Sequence, residues 1–177
     1  MKIFSSFLVV CLFVFASCNE ETKSPLEGCC GNPAIDEAVG NGHLYLPNIF
    51  TPDADGINDM IVPYGDNNIV VVLSMNIKDQ NGDVVFSGTD IVPGNSSKGW
   101  DGRINGVKQI GMYDVTLVVK AGDGTIKTLQ GRVCSYPCHD AEGSKIPAHP
   151  DCQFPTQTQD GHFDSTLPSG ENEGCFE

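Results

Sequence analysis

The chain has 177 residues, enough for one domain with flanking segments, and carries a formal net charge of −13. So acidic a chain repels phosphate backbones, which excludes nucleic acid as a partner, and it offers no basic patch to a membrane surface. The charge is uneven: residues 44–133 hold seven Lys/Arg against ten Asp, a balance of −3, whereas from Cys134 onward one Lys faces eight acids, a balance of −7.

The start of the chain reads as an export signal. Lys2 precedes an apolar run from Phe7 to Ala16 that is too short to span a bilayer as a mature helix. The run ends in Phe15-Ala16-Ser17-Cys18, which resembles the lipobox of bacterial lipoproteins, with Phe15 where that family usually has Leu. The resemblance implies that residues 1–17 are a lipoprotein signal peptide and that Cys18 is acylated, so that buried acyl CH₂ groups make the membrane contact. An ordinary secretory peptide with an incidental Cys is the plainer alternative. Asn19-Glu20-Glu21 resembles the acidic signals that send some lipoproteins to the outer face of the outer membrane. The expectation is an outer-membrane lipoprotein, with the cell surface as the side those acids favour.

Cysteine usage agrees with export. Setting aside Cys11 in the signal and Cys18 at the lipid leaves Cys29, Cys30, Cys134, Cys138, Cys152 and Cys175. An even number of cysteines in an oxidising compartment predicts disulfides, and all six flank residues 44–133. Bridges should therefore tie the N-terminal segment and the tail to each other or to themselves, with a connectivity that spacing does not fix.

Residues 18–43 are small and polar, with Pro25 and Pro33 among several glycines, and read as a tether. Asn32-Pro33 is a plausible start for a short helical turn over residues 34–39. From Leu44 the pattern becomes β. Residues 69–77 are rich in β-branched side chains and read as a buried strand. Asn81-Gly82 and Gly122-Asp123-Gly124 are hairpin turns, leading into residues 84–86 and 126–133, and residues 111–119 supply another strand. With no helical period between them, residues 44–133 predict an antiparallel β-sandwich, followed by a Cys- and Pro-rich acidic tail over residues 134–177.

The most specific stretch is Leu46-Pro47-Asn48-Ile49-Phe50-Thr51-Pro52-Asp53-Ala54-Asp55-Gly56-Ile57-Asn58-Asp59. It resembles the opening motif of the gliding motility-associated C-terminal domain, roughly P-N-x-F-T-P-N-x-D-G-x-N-D. The resemblance continues through residues 77–86, Trp100-Asp101-Gly102, Asn105-Gly106, Gly111-Met112-Tyr113 and Gly131-Arg132-Val133. It implies an immunoglobulin-like sandwich and a place among cell-surface proteins exported by the type IX system; the irregular, disulfide-rich flanks expected from the cysteines and prolines are an addition to that family's pattern.

Several residues are candidates for chemistry. Asp53, Asp55 and Asp59 surround Gly56, and three carboxylates so close repel unless a cation or backbone N–H groups lie between them. Calcium is the cation reading, with Asn58 adding a carbonyl oxygen; an EF-hand is excluded, because Val62 falls where the bidentate Glu belongs. The alternative is an Asx-rich turn whose carboxylates accept backbone N–H groups. Trp100 beside Asp101 reads as an aromatic packed on the sheet before an Asp-Gly turn, rather than as a ligand site. Asn95-Ser96-Ser97 and Asp164-Ser165-Thr166 are nominal glycosylation sequences of a length that arises by chance. In the tail, Cys134, Cys138 and His139 lie one residue wider than a haem-attachment motif, and Cys138, His139, His149 and Cys152 could bind zinc.

Residues 44–133 contain no His, Cys or Glu, and no nucleophile elbow, zinc-protease motif or phosphate loop. Acid–base work near neutral pH would fall to strongly shifted Asp or Lys. The sequence thus predicts a non-enzymatic module for binding or assembly, held at the membrane through its lipid and meeting an envelope protein or a glycan. A sorting domain for type IX export and a metal- or haem-dependent redox protein working through the tail are the alternatives.

Overall fold

The computed structural model describes residues 28–138, 151–171 and 175. The signal, the lipobox with Cys18, and both His139 and His149 lie outside the described residues. Regular structure starts earlier than residue 44. Strands β1 (Ile35–Val39) and β2 (Gly42–Leu46) form a hairpin across the two-residue turn Gly40-Asn41. The helical turn expected over residues 34–39 is therefore a strand, and the tether expected to run to residue 43 stops short of it. So short a segment cannot repay helix nucleation, whereas the ladder to β2 buries Ile35 and Val39 and satisfies its backbone.

The chain then lays down β3 (Ile49–Phe50), β4 (Tyr64–Gly65), β5 (Ile69–Lys78), β6 (Val84–Ile91), β7 (Arg103–Ile104), β8 (Val107–Lys108), β9 (Gly111–Ala121) and β10 (Ile126–Ser135). One sheet has the order β1-β2-β4 and the other β3-β10-β9-β5-β6. All pairings are antiparallel except β3 with β10, where Ile49 lies opposite Cys134. Ile35, Val39, Leu44 and Leu46 from the first sheet pack against Val72, Met75, Leu117 and Val133 from the second in one buried cluster. The protein is an all-β sandwich of two packed sheets.

Strand β9 shows why the residues fold this way. Tyr113, Val115, Leu117, Val119 and Ala121 are buried, while Asp114 and Lys120 between them are exposed, the period of two that a half-covered sheet requires. Strand β5 breaks that period. Its buried residues are Ile69, Val72, Met75 and Ile77, because register irregularities on the β9 side, between Ile69 and Val71 and between Val72 and Ser74, each add a residue. The continuous Val-Val-Val-Leu run is thus a bulged strand that leaves Val70 exposed, not a uniformly buried one.

Trp100 is buried at 3% exposure, edge-on to Tyr113 at 4.8 Å and tilted against Phe50 at 5.6 Å. Its indole N–H donates to the Arg103 carbonyl at 3.1 Å. It is a core residue, as its place before Asp-Gly suggested.

A second cluster of Cys30, Ile49, Met112, Cys134, Tyr136 and Phe154 sits at the β3–β10 end. Met112 and Tyr113 are consecutive on one strand, so this cluster occupies the face of the sheet opposite the main core. The tail supplies part of it. Far from being irregular throughout, the tail forms a hairpin of β11 (Thr158–Gln159) and β12 (His162–Phe163) that lies on β2.

Candidate functional site

The loop after β3 is built from the backbone outward. Thr51 N–H donates to the Asn58 carbonyl at 2.9 Å and closes the loop. Between them Ala54, Gly56 and Asn58 all have positive φ, a conformation that Gly56 adopts freely and Ala54 only under constraint. The constraint is Asp59. Its two carboxylate oxygens accept Ala54 N–H at 2.5 Å and Gly56 N–H at 2.8 Å, so it gathers the loop's donors from within. Asp55 likewise accepts Ile57 N–H at 2.8 Å, and Asp53 accepts Asp55 N–H at 3.2 Å.

The four residues proposed for calcium therefore separate. Asp59 is a backbone cap. Asn58 is also committed elsewhere: its Oδ1 accepts Thr156 N–H at 3.0 Å, and its Nδ2 donates to the Ser169 carbonyl at 2.8 Å and to Glu171 Oε1 at 2.6 Å. Both ends of that amide hold the tail, so Asn58 works as a clamp. Asp53 and Asp55 do converge, and the third carboxylate beside them is Glu171; one oxygen from each lies within 4.8 Å of the others. Burial raises the pKa of Glu171. Donations from Thr51 and Asn58 oppose the rise, and the charges of Asp55 and Asp53 add to it, leaving a net shift upward.

Asn48 does at the other end of the motif what Asn58 does here. It is 2% exposed, donates to the carbonyls of Asn32 at 2.9 Å and Asp151 at 2.8 Å, and accepts Gln153 N–H at 2.8 Å. The two asparagines of the motif are docking posts for the tail. Sequence reasoning missed Asn48 and Glu171 because their partners lie about a hundred residues away; the signal available was an apolar strand interrupted by a lone Asn.

Disulfides complete the attachment: Cys29–Cys134, Cys30–Cys152 and Cys138–Cys175. The first two join the N-terminal segment to the end of β10 and to the tail, and the third closes the tail on itself. All six downstream cysteines are thereby paired, and Cys134 sits within β10 rather than beyond it. Paired sulfurs are neither zinc thiolates nor haem attachment points, so the readings built on Cys134, Cys138 and Cys152 lose their ligands. Asn95 caps a short 3₁₀ turn at Ser96–Lys98, and Asp164 caps the backbone of Thr166. One further group of possible metal ligands occurs among the described residues, made of Asp36, His43 and His162.

Fold and site together define a disulfide-stapled all-β domain whose tail is docked on its motif loop. No family model and no curated protein matches the chain. Among solved structures, CopC from Methylosinus trichosporium OB3b is similar to it, with a TM-score of 0.37 and 13% identity over 59% of this chain and 93% of that one. At that score and identity the likeness carries no functional argument.

Proposed function

We propose that the chain is a cell-envelope lipoprotein whose immunoglobulin-like sandwich is a non-enzymatic module for binding or assembly at the outer membrane. The observation that carries this reading is the pairing of all six cysteines downstream of the lipobox. Disulfides persist in oxidising compartments, where a lipobox would deliver the chain. The resemblance of residues 46–59 to the gliding motility-associated domain points the module toward gliding or type IX secretion.

The staples also set how the module is presented. Cys29 lies eleven residues after Cys18. At 3.3–3.6 Å per extended residue, an anchor at Cys18 cannot hold the domain more than about 40 Å from the bilayer. A partner is thus an envelope protein or glycan within that reach. Membrane fractionation with protease treatment of whole cells tests the reading. Acylated protein in the outer-membrane fraction, cleaved from outside, is the expected result; soluble, unacylated protein would refute it.

Calcium is a second reading, favoured by the arrival of Glu171 beside Asp53 and Asp55. Its ligands are those three carboxylates, without Asn58 or Asp59, and its effect is to hold the tail on the loop. A rise in melting temperature with calcium, reversed by chelator, is the expected outcome, and an unchanged one removes the reading.

A further inference from the structure

A diagonal across the first hairpin brings two ligand-capable side chains together. Asp36 lies opposite Tyr45 and Ala38 opposite His43, so Asp36 and His43 share one face of the sheet a single step apart. His43 Nε2 is 2.5 Å from Asp36 Oδ1. The third side chain comes from the other end of the chain. His162 in β12 lays its ring on that of His43, with centroids 3.9 Å apart and planes inclined by 27°. One ligand atom from each of the three lies within 4.8 Å of the others.

His162 is placed, not merely near. Gly161 has a φ of +77°, and a Cβ there would fall 2.2 Å from the Asp66 nitrogen and 2.4 Å from the Gly65 carbonyl carbon. Only glycine lets the tail hairpin lie this close on β4. On the other side Phe163 stacks on Tyr45 with centroids 6.0 Å apart. Tyr45 is itself fully buried, and its hydroxyl has no hydrogen-bond partner among the described residues.

We propose that Asp36, His43 and His162 form a surface site for a nitrogen-preferring divalent transition ion of the zinc(II) class. Two imidazoles and one carboxylate are a donor set for such ions, whereas calcium takes oxygen. Zinc bonds of about 2.0–2.1 Å put tetrahedral ligand atoms about 3.3 Å apart, and imidazole lone pairs lie in the ring plane, so binding requires the His43–His162 stack to open and both rings to turn toward the ion. Water fills the remaining position. The ion replaces the His43–Asp36 hydrogen bond and ties the tail hairpin to the three-stranded sheet.

The test is calorimetric titration of the full mature chain, without an affinity tag, with zinc chloride. One ion per chain is expected, weakened about tenfold or more by His43→Ala and by His162→Ala, with no competition from calcium. Matching circular dichroism and melting curves of the metal-free variants show that the loss is not unfolding. If either variant is perturbed, zinc-induced shifts of the His43 and His162 ring resonances in the unaltered protein give the same readout. No zinc binding by the unaltered protein, ring resonances that zinc leaves in place, or affinity unchanged in both folded variants (the ion then sitting at His139 or His149) would overturn the proposal.

Discussion

The sandwich and its tail are held by different physics. Between the two sheets, stability comes from apolar area: Leu44, Val72, Met75, Leu117 and Val119 are all fully buried, and no polar side chain is needed to place them. Among its described residues beyond β10 the tail buries Tyr136, Phe154 and Cys175, and it is otherwise fixed by two bridges to the N-terminal segment and to itself, by Asn48 and Asn58, and by the close approach at Gly161. The lesson is that a segment poor in apolar residues becomes part of a domain when a few directional contacts and covalent links replace the missing core.

That contrast can be broken from either side. Leu117→Ala should do the greatest damage, destabilising the whole domain by about 2–5 kcal/mol in urea unfolding, with tail and body lost together. Replacing both Cys30 and Cys152 by Ser should cost about 2–4 kcal/mol, since with Cys29–Cys134 intact that bridge closes a loop of roughly twenty residues. Here the tail should become the first site of limited proteolysis while the far-ultraviolet spectrum of the body is kept. Asn58→Ala should cost about 1–3 kcal/mol, because it strands the Thr156 N–H, removes a donor from Glu171 and from the Ser169 carbonyl, which keeps only the Thr156 hydroxyl, and puts Ala at a positive φ. Hydrogen exchange should then rise over residues 156–171 and stay unchanged in β9.

The smallest effect concerns Glu171. Its folded pKa is raised above the ordinary 4.5, so the folded protein holds that proton more tightly than the unfolded chain. The stabilising contribution is complete below pH 4.5 and is lost as pH rises through the folded value. Glu171→Gln should therefore raise the melting temperature modestly at pH 7 in chelator and change little at pH 4. With calcium present the order reverses, because only the unaltered carboxylate gains from the ion. Melting curves in the two buffers separate these outcomes.

Much of the body was legible in the sequence, and the reason is local. Alternation in β9, the Asn81-Gly82 turn and the Gly122-Asp123-Gly124 turn each act over a few residues, and each predicted element is present. What misled was also local. The exposed run of Asp36, Glu37 and Ala38 hid β1, although Gly40-Asn41 between Val39 and Gly42 is a two-residue hairpin signal. Drawing the domain from Leu44 then left His43 one position outside the region searched for chemistry. The candidate site was legible only in half. Asp53 and Asp55 could be read from their spacing, but Glu171, Asn48 and His162 acquire their roles from contacts that close over a hundred residues, and no periodicity reports those.

The central claim is that a tail docked by specific bridges belongs to an exported, lipid-anchored domain. Peptide mapping by mass spectrometry of protein taken from its native membrane, without reduction, tests it most directly. The account predicts Cys29 joined to Cys134, Cys30 to Cys152 and Cys138 to Cys175, with acyl chains on Cys18. Free thiols at these positions, other pairings, or an unacylated chain that keeps residues 1–17 would contradict it.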